Sequence, residues 1–168
     1  PRDVGRQTRL QEIKTNKKTY KARTVIIATG ASALTLKIPG EDKYFGRGVS
    51  TCAVCDAALF RDREVIVIGG GDSAMEESLA LYKFAKKITI IHRRDKFRAS
   101  KIMQKRVFDN KKIQVVWDSL IEEYKGDNKF LKSVKIKNIK SNKITELPID
   151  GVFLAIGHIP NTKIFKDQ

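Results

Sequence analysis

The sequence predicts an α/β fold: a Rossmann-like βαβαβ parallel sheet joined to an antiparallel three-stranded β-meander. Three observations predict it. Val65-Ile66-Val67-Ile68 and Ile88-Thr89-Ile90-Ile91 are nearly continuous apolar runs, as in strands covered on both faces. Each is followed by a segment of helical period, and residues 113–116 supply a third strand, the alternation of a parallel α/β sheet with right-handed crossovers. Residues 120–124, 131–137 and 143–147 then alternate apolar with polar side chains, separated by turn residues such as Gly126-Asp127-Asn128.

Taken in order, Leu10-Gln11-Glu12-Ile13 and Thr19-Tyr20 read as short strands around Asn16-Lys17-Lys18. Val25-Ile26-Ile27-Ala28, ending in Thr29-Gly30, is predicted to be a further strand. Residues 31–48 hold Pro39-Gly40, Gly46 and Gly48, which is connector chemistry, and a domain boundary is placed at their start. Asp72 or Ser73 is positioned to cap a helix through Met75, Leu79 and Tyr82 towards Phe84. Ser100 opens another, through Ile102, Met103 and Val107. Trp117 reads as a packing residue. Val152-Phe153-Leu154-Ala155 resumes a buried strand, and residues 151–157 echo residues 24–30: both are apolar runs ending in Ala-x-Gly. If the echo marks two related nucleotide-binding domains, the front of the first lies upstream of Pro1.

The 168 residues are 41% hydrophobic, which suits a packed core. The formal charge of +15 is spread over scattered lysines rather than one block, so it reads as a solvated surface that can steer anionic ligands. No base-reading motif accompanies it, and no nucleic-acid partner is expected. No run approaches the ~18 apolar residues of a membrane span, and no signal segment opens the chain. A cytoplasmic, reducing compartment is expected. There a close cysteine pair is catalytic or metal-binding rather than a permanent staple.

Gly69-Gly70-Gly71-Asp72-Ser73-Ala74 follows an apolar strand and opens a helix. A dinucleotide pyrophosphate needs a glycine where the chain turns, a second where backbone approaches the phosphates, and a small residue where helix meets strand. Gly69, Gly71 and Ala74 fill those places, and the amides of a helix start favour negative charge. Which nucleotide is decided at the end of the second strand. An NAD site carries a carboxylate about 20 residues on. Here His92-Arg93-Arg94 stand there, with Arg98 close behind. Guanidinium groups grip a 2′-phosphate that a carboxylate would repel, so NADP(H) is expected.

Cys52 and Cys55 are spaced C-x-x-C just upstream. The chain has two cysteines and two histidines, and His92 and His158 lie far from the pair, so zinc is not expected. The spacing suits a reversible disulfide. Asp56 either caps the next short helix or carries a proton for a thiolate or reduced cofactor; spacing alone leaves both open. The pair lacks a preceding Trp and an intervening Gly-Pro, so it is not that of thioredoxin itself.

Together these strings resemble the bacterial low-molecular-weight thioredoxin reductases. The similarity runs through Gly48-Val49-Ser50-Thr51-Cys52-Ala53-Val54-Cys55-Asp56, Val67-Ile68-Gly69-Gly70-Gly71-Asp72-Ser73-Ala74-Met75-Glu76-Glu77, Ile91-His92-Arg93-Arg94-Asp95-Lys96-Phe97-Arg98-Ala99 and Ala155-Ile156-Gly157-His158-Ile159-Pro160-Asn161-Thr162. The resemblance implies a homodimeric two-domain flavoprotein whose NADPH domain is inserted in an FAD domain. Electrons pass from NADPH to FAD, to the cysteine disulfide, to thioredoxin. It implies that residues 1–33 end the first FAD-domain segment, 34–157 form the NADP(H) domain with the C-x-x-C pair, and 158–168 begin the return. The two domains rotate about crossovers near residues 31–37 and 156–160.

By the same resemblance Cys55 faces the flavin, Cys52 attacks thioredoxin, and Asp56 is the acid–base residue. Gly69, Gly70, Gly71, Asp72, Ser73, Ala74, Glu76, His92, Arg93, Arg94, Arg98, Ile156 and Gly157 fall at cofactor-binding positions, with Glu76 near the nicotinamide. His158 lies at the return crossover, where hinge or packing roles compete with chemistry. Val54 departs from the commoner Thr, and the first-domain FAD fingerprint is missing. NADP(H) binding without FAD retention or turnover is therefore expected. The alternatives are a related flavoprotein dithiol reductase serving a peroxidase and a stand-alone NADP-binding module. Ferredoxin-dependent relatives lack the cysteine pair, which argues against them.

Overall fold

The hairpin at the front of the chain forms as expected. In the computed structural model, which describes residues 10–166, β1 (Gln11–Lys14) pairs antiparallel with β2 (Thr19–Ala22). Thr15 closes the turn: its Oγ1 donates to the Lys18 carbonyl at 2.8 Å and accepts from the Lys18 amide at 3.1 Å. The predicted strand at Val25-Ile26-Ile27-Ala28 does not form. Its side chains are exposed, Ile26 by 91%, and no described strand lies alongside to take its ladder bonds. An apolar run becomes a strand only when a neighbour accepts its backbone hydrogen bonds.

The connector holds more structure than its glycines suggest. β3 (Ala31–Ala33) is followed by the one-turn helix α1 (Glu41–Tyr44) and by β4 (Val49–Ser50). The cysteines then sit at α2 (Ala53–Asp56), continued by a 3₁₀ turn, Ala57–Phe60. The βαβαβ core is β5 (Glu64–Gly69), α3 (Asp72–Tyr82), β6 (Lys87–Ile91), α4 (Lys101–Phe108) and β7 (Ile113–Val116). Neither helix has the side-chain cap that Asp72, Ser73 or Ser100 promised; Gly71 and Ser100 occupy the N-cap positions. The helix α3 also stops at Tyr82, short of Phe84.

The meander is β8 (Ser119–Gly126), β9 (Leu131–Asn138) and β10 (Ile144–Pro148), antiparallel in the order β10-β9-β8. β11 (Gly151–Ala155) then inserts between β4 and β5, completing a five-stranded parallel sheet ordered β4-β11-β5-β6-β7. β12 (His158–Pro160) pairs with β3.

Period-two alternation explains why the central strands are apolar throughout. Val65, Val67, Ile88, Ile90 and Phe153 face α3 and α4 and pack with Ala74, Met75, Leu81 and Val107. Ile66, Ile68, Ile91, Val152 and Leu154 face the other way and pack with Ile121, Tyr124, Val134 and Ile136 of the meander. Trp117 packs at the edge of the first cluster, 4.4 Å from the Phe97 ring centroid. The chain divides into two compact units: one takes its described residues from 10–31 and 160–166, and the other is Ser32–Ile159. The glycine loop, the arginines and the cysteine pair all lie in the second.

Candidate functional site

A cleft of about 450 Å³ opens at the carboxyl ends of β5 and β11, where the glycine loop leaves the sheet. That is where open α/β sheets bind ligands. Gly69, Gly70, Gly71 and Ser73 line one side, Ala155, Ile156 and Gly157 another, and Arg93 and Arg98 the rim. Leu34 and Leu36 of the connector add an apolar wall that sequence reading did not assign.

The three glycines differ in what they permit. Gly69 has φ +155°, and a Cβ there would meet the Ala155 carbonyl and, at 2.9 Å, the Ala74 Cβ. Gly70 has no room either, because a Cβ would strike the His92 ring. At Gly71 a Cβ would meet nothing within 4 Å, so the loop presents bare backbone to the cleft at this residue.

The loop is tied down from behind. The Gly70 carbonyl accepts from the Arg98 amide at 2.7 Å and from the Ala99 amide at 3.1 Å. Asp72 does not cap its own helix; its Oδ1 accepts from the Ser100 amide at 2.8 Å, linking the starts of α3 and α4. His92 is buried beneath the loop and does not line the cleft. Its Nε2 lies 3.1 Å from the Lys96 carbonyl, which only accepts, so this nitrogen carries a proton. Burial holds the imidazole pKa below its ordinary value, reinforced by the Arg94 and Arg93 charges and opposed by bonds to the Lys96 and Gly69 backbone. Arg93, Arg94 and Arg98 are exposed, and none forms a salt bridge among the described residues. Arg94 and Glu76 do not line the cleft.

Cys52 and Cys55 form a disulfide with Cα atoms 5.3 Å apart. Cys52 is the N-cap of α2, and its Sγ accepts from the Cys55 amide at 3.2 Å. Asp56 makes no cap bond to the following turn. Its carboxylate instead accepts from Ser50 Oγ at 2.6 Å, and the same oxygen of Ser50 accepts from the Cys52 amide at 3.0 Å.

The residue that joins this segment to the nucleotide helix is Glu77. From α3 its Oε2 accepts from the Ala53 amide at 2.8 Å. Burial pushes its carboxyl above the usual range; the Ala53 amide and the His158 charge oppose this, and Asp56 and Glu76 add to it. A helical signal existed: Glu77 stands three residues after Ala74 and one before Ser78, both fully buried, beside the inward stripe of α3. Among the described residues no group of His, Cys, Asp or Glu could hold a metal, and no helix is long and apolar enough to cross a membrane.

Residues 3–168 match the family model for pyridine nucleotide-disulphide oxidoreductases. Over 149 residues the chain is 50% identical to a thioredoxin reductase of Streptomyces coelicolor, covering 89% of this chain and 46% of that protein. A Rickettsia prowazekii thioredoxin reductase is 49% identical over 151 residues, or 89% of this chain and 49% of that protein. The crystal structure of Lactococcus lactis thioredoxin reductase superposes with a TM-score of 0.85 at 47% identity, covering 94% of this chain and 52% of that one. The Thioredoxin reductase of T. acidophilum gives 0.83 at 34% identity, covering 94% of this chain and 51% of that one. The chain thus spans about half the length of the relatives it matches. On the match over residues 3–168, the chain belongs to the pyridine nucleotide-disulphide oxidoreductase family.

Proposed function

We propose that this chain is the nucleotide-binding and dithiol portion of a thioredoxin-disulfide reductase. Its overall reaction is NADPH + H⁺ + thioredoxin disulfide → NADP⁺ + thioredoxin dithiol. The observation that carries the reading is a single cleft lined by both the Gly69-Gly70-Gly71 loop and two guanidinium groups that form no salt bridge among the described residues, with no acidic residue in its lining. These residues fit NADP(H). Gly71 leaves backbone open to the pyrophosphate, Asp72, Ser73 and Ala74 start the helix beneath it, and Arg93 and Arg98 reach the 2′-phosphate from the rim, with Arg94 beside them. Ile156 and Gly157 form the far wall, Glu76 is assigned to the nicotinamide end, and His92 supports the loop from below. NADPH supplies a hydride when bound.

FAD enters the proposal through the family and relays two electrons when bound; no side chain described here is assigned to it. Residues 1–33 and 158–168 are assigned to the FAD-binding domain and 34–157 to the NADP(H) domain. The division at Ala31/Ser32 and Ile159/Pro160 supports those bounds. In the dithiol half, the Cys52 thiolate attacks the partner's disulfide, and Cys55 resolves the mixed disulfide, releasing the partner's dithiol and restoring the Cys52–Cys55 bond. Asp56, fixed by Ser50, is assigned the proton. Calorimetric titration of the chain with NADPH and NADH tests the nucleotide half. NADPH is expected to bind at least about tenfold tighter, as charge-assisted phosphate contacts are worth at least ~1.4 kcal/mol together. Equally weak binding of both would overturn it.

A further inference from the structure

Glu77 has a place that the nucleotide site does not explain. It sits on α3, outside the residues lining the cleft, and its carboxylate reaches across to the cysteine segment. The bond is to Ala53, the residue directly after Cys52, and Ala53 is fully buried. Among the described residues, the charged groups bearing on Glu77 are Asp56 of α2, Glu76 of α3 and His158 of β12. Two of these are acidic, and the Glu77 carboxylate, bonded to the residue after Cys52, is a further negative charge beside the cysteine segment.

We propose that Glu77 is a positioning residue for the Cys52–Cys55 couple, which pins the amide following Cys52 and sets a negative charge against the reduced pair. This rests on the reading of the pair as a reversible redox couple. Reduction breaks the Sγ–Sγ bond, takes up two electrons and leaves one thiolate with a thiol, or two thiols. The thiolate carries charge that the disulfide lacks. A fixed carboxylate nearby therefore raises the thiol pKa and favours the disulfide. The half-buried carboxylate is also the hydrogen-bond partner of the amide of a fully buried residue, Ala53.

Glu77→Gln and Glu77→Ala separate the two effects. Gln keeps an oxygen that can accept from the Ala53 amide but removes the charge; Ala removes both. The full chain is equilibrated at pH 8 with graded ratios of reduced to oxidised dithiothreitol, which donates two electrons and two protons as it closes to its cyclic disulfide. Free thiols, their alkylation rate by iodoacetamide and hydrogen exchange at the Ala53 amide are measured. Glu77→Gln is expected to shift the equilibrium about three- to tenfold toward the dithiol, or ~15–30 mV, and to speed alkylation comparably. Its Ala53 amide stays as protected as in the parent chain, whereas in Glu77→Ala protection falls by about tenfold or more.

An equilibrium and alkylation rate in Glu77→Gln matching the parent chain overturn the charge effect, and unchanged Ala53 exchange in Glu77→Ala overturns the pinning. A parent disulfide that dithiothreitol cannot open and re-form is a different result. It removes the redox reading itself, and this inference with it.

Discussion

Gly70 and Gly71 are adjacent and identical in composition, yet their missing side chains serve opposite ends. A methyl group on Gly70 would enter the ring of a buried histidine whose pKa burial lowers. A methyl group on Gly71 would enter the open cleft, at a backbone φ of −98° that any residue adopts. Gly70→Ala is therefore expected to destabilise the chain by about 1–3 kcal/mol, since overpacking forces a rigid ring aside. Gly71→Ala is expected to leave stability within ~0.5 kcal/mol, or to raise it slightly through the unfolded chain, while weakening NADPH binding by about tenfold or more. Urea unfolding and calorimetry on the two variants check this. A Gly71→Ala variant that binds NADPH like the parent chain would mean that ligand backbone approach occurs elsewhere.

At the scale of elements, one carboxylate ties down the connector between β3 and β4, alongside backbone bonds from the Leu34 amide to the Gly157 carbonyl and from the Tyr124 amide to the Pro39 carbonyl. Glu41 is buried at the start of α1; its Oε2 accepts from the Leu36 amide at 3.0 Å and its Oε1 from the Lys37 amide at 3.1 Å. Tyr124 Oη is buried beside it, and burial, then the Glu41 charge, push that hydroxyl far above its ordinary range. The clamp sets Leu34 and Leu36 against the cleft. Glu41→Gln offers one acceptor to two amides and leaves one unpaired. It is expected to lower the unfolding free energy by about 2 kcal/mol, with an unchanged denaturant slope.

No sequence pattern announces that clamp, and the same limit explains the other misreadings. Alternation and apolar runs report which residues are suited to burial, and they located β5 to β11 closely because each run has a neighbour within the chain. They do not report partners. Residues 25–28 carry the same pattern as β11 but lack a described strand alongside, and they lie exposed. Asp72 has the composition of a cap, but its carboxylate found a donor on the next helix. Glu77 looked interchangeable with Glu76 in sequence, and a rotation of one residue on α3 turned it toward the cysteines.

For the whole molecule, the proposed nucleotide site raises the question of whether the +15 charge or two arginines would choose the nucleotide. The two act over different distances. A field summed over scattered lysines extends to about a Debye length, ~8–10 Å at ordinary ionic strength, and raises the encounter rate of any dinucleotide. It cannot separate NADPH from NADH by more than the extra phosphate's charge in a screened potential. Arg93 and Arg98 stand on the rim of one cleft, free of salt bridges among the described residues, and can bond to phosphate oxygens directly. Replacing both by Gln removes two charges of a surplus of fifteen, so the steering field survives nearly intact. The affinity ratio of NADPH to NADH is then expected to fall by about tenfold or more, almost wholly through faster NADPH release. The slope of the association rate against ionic strength should change by only a small fraction. Stopped-flow fluorescence at graded salt reads both quantities in one experiment. A ratio that survives the double replacement would assign selectivity to the diffuse lysine surface and take the phosphate away from these two side chains.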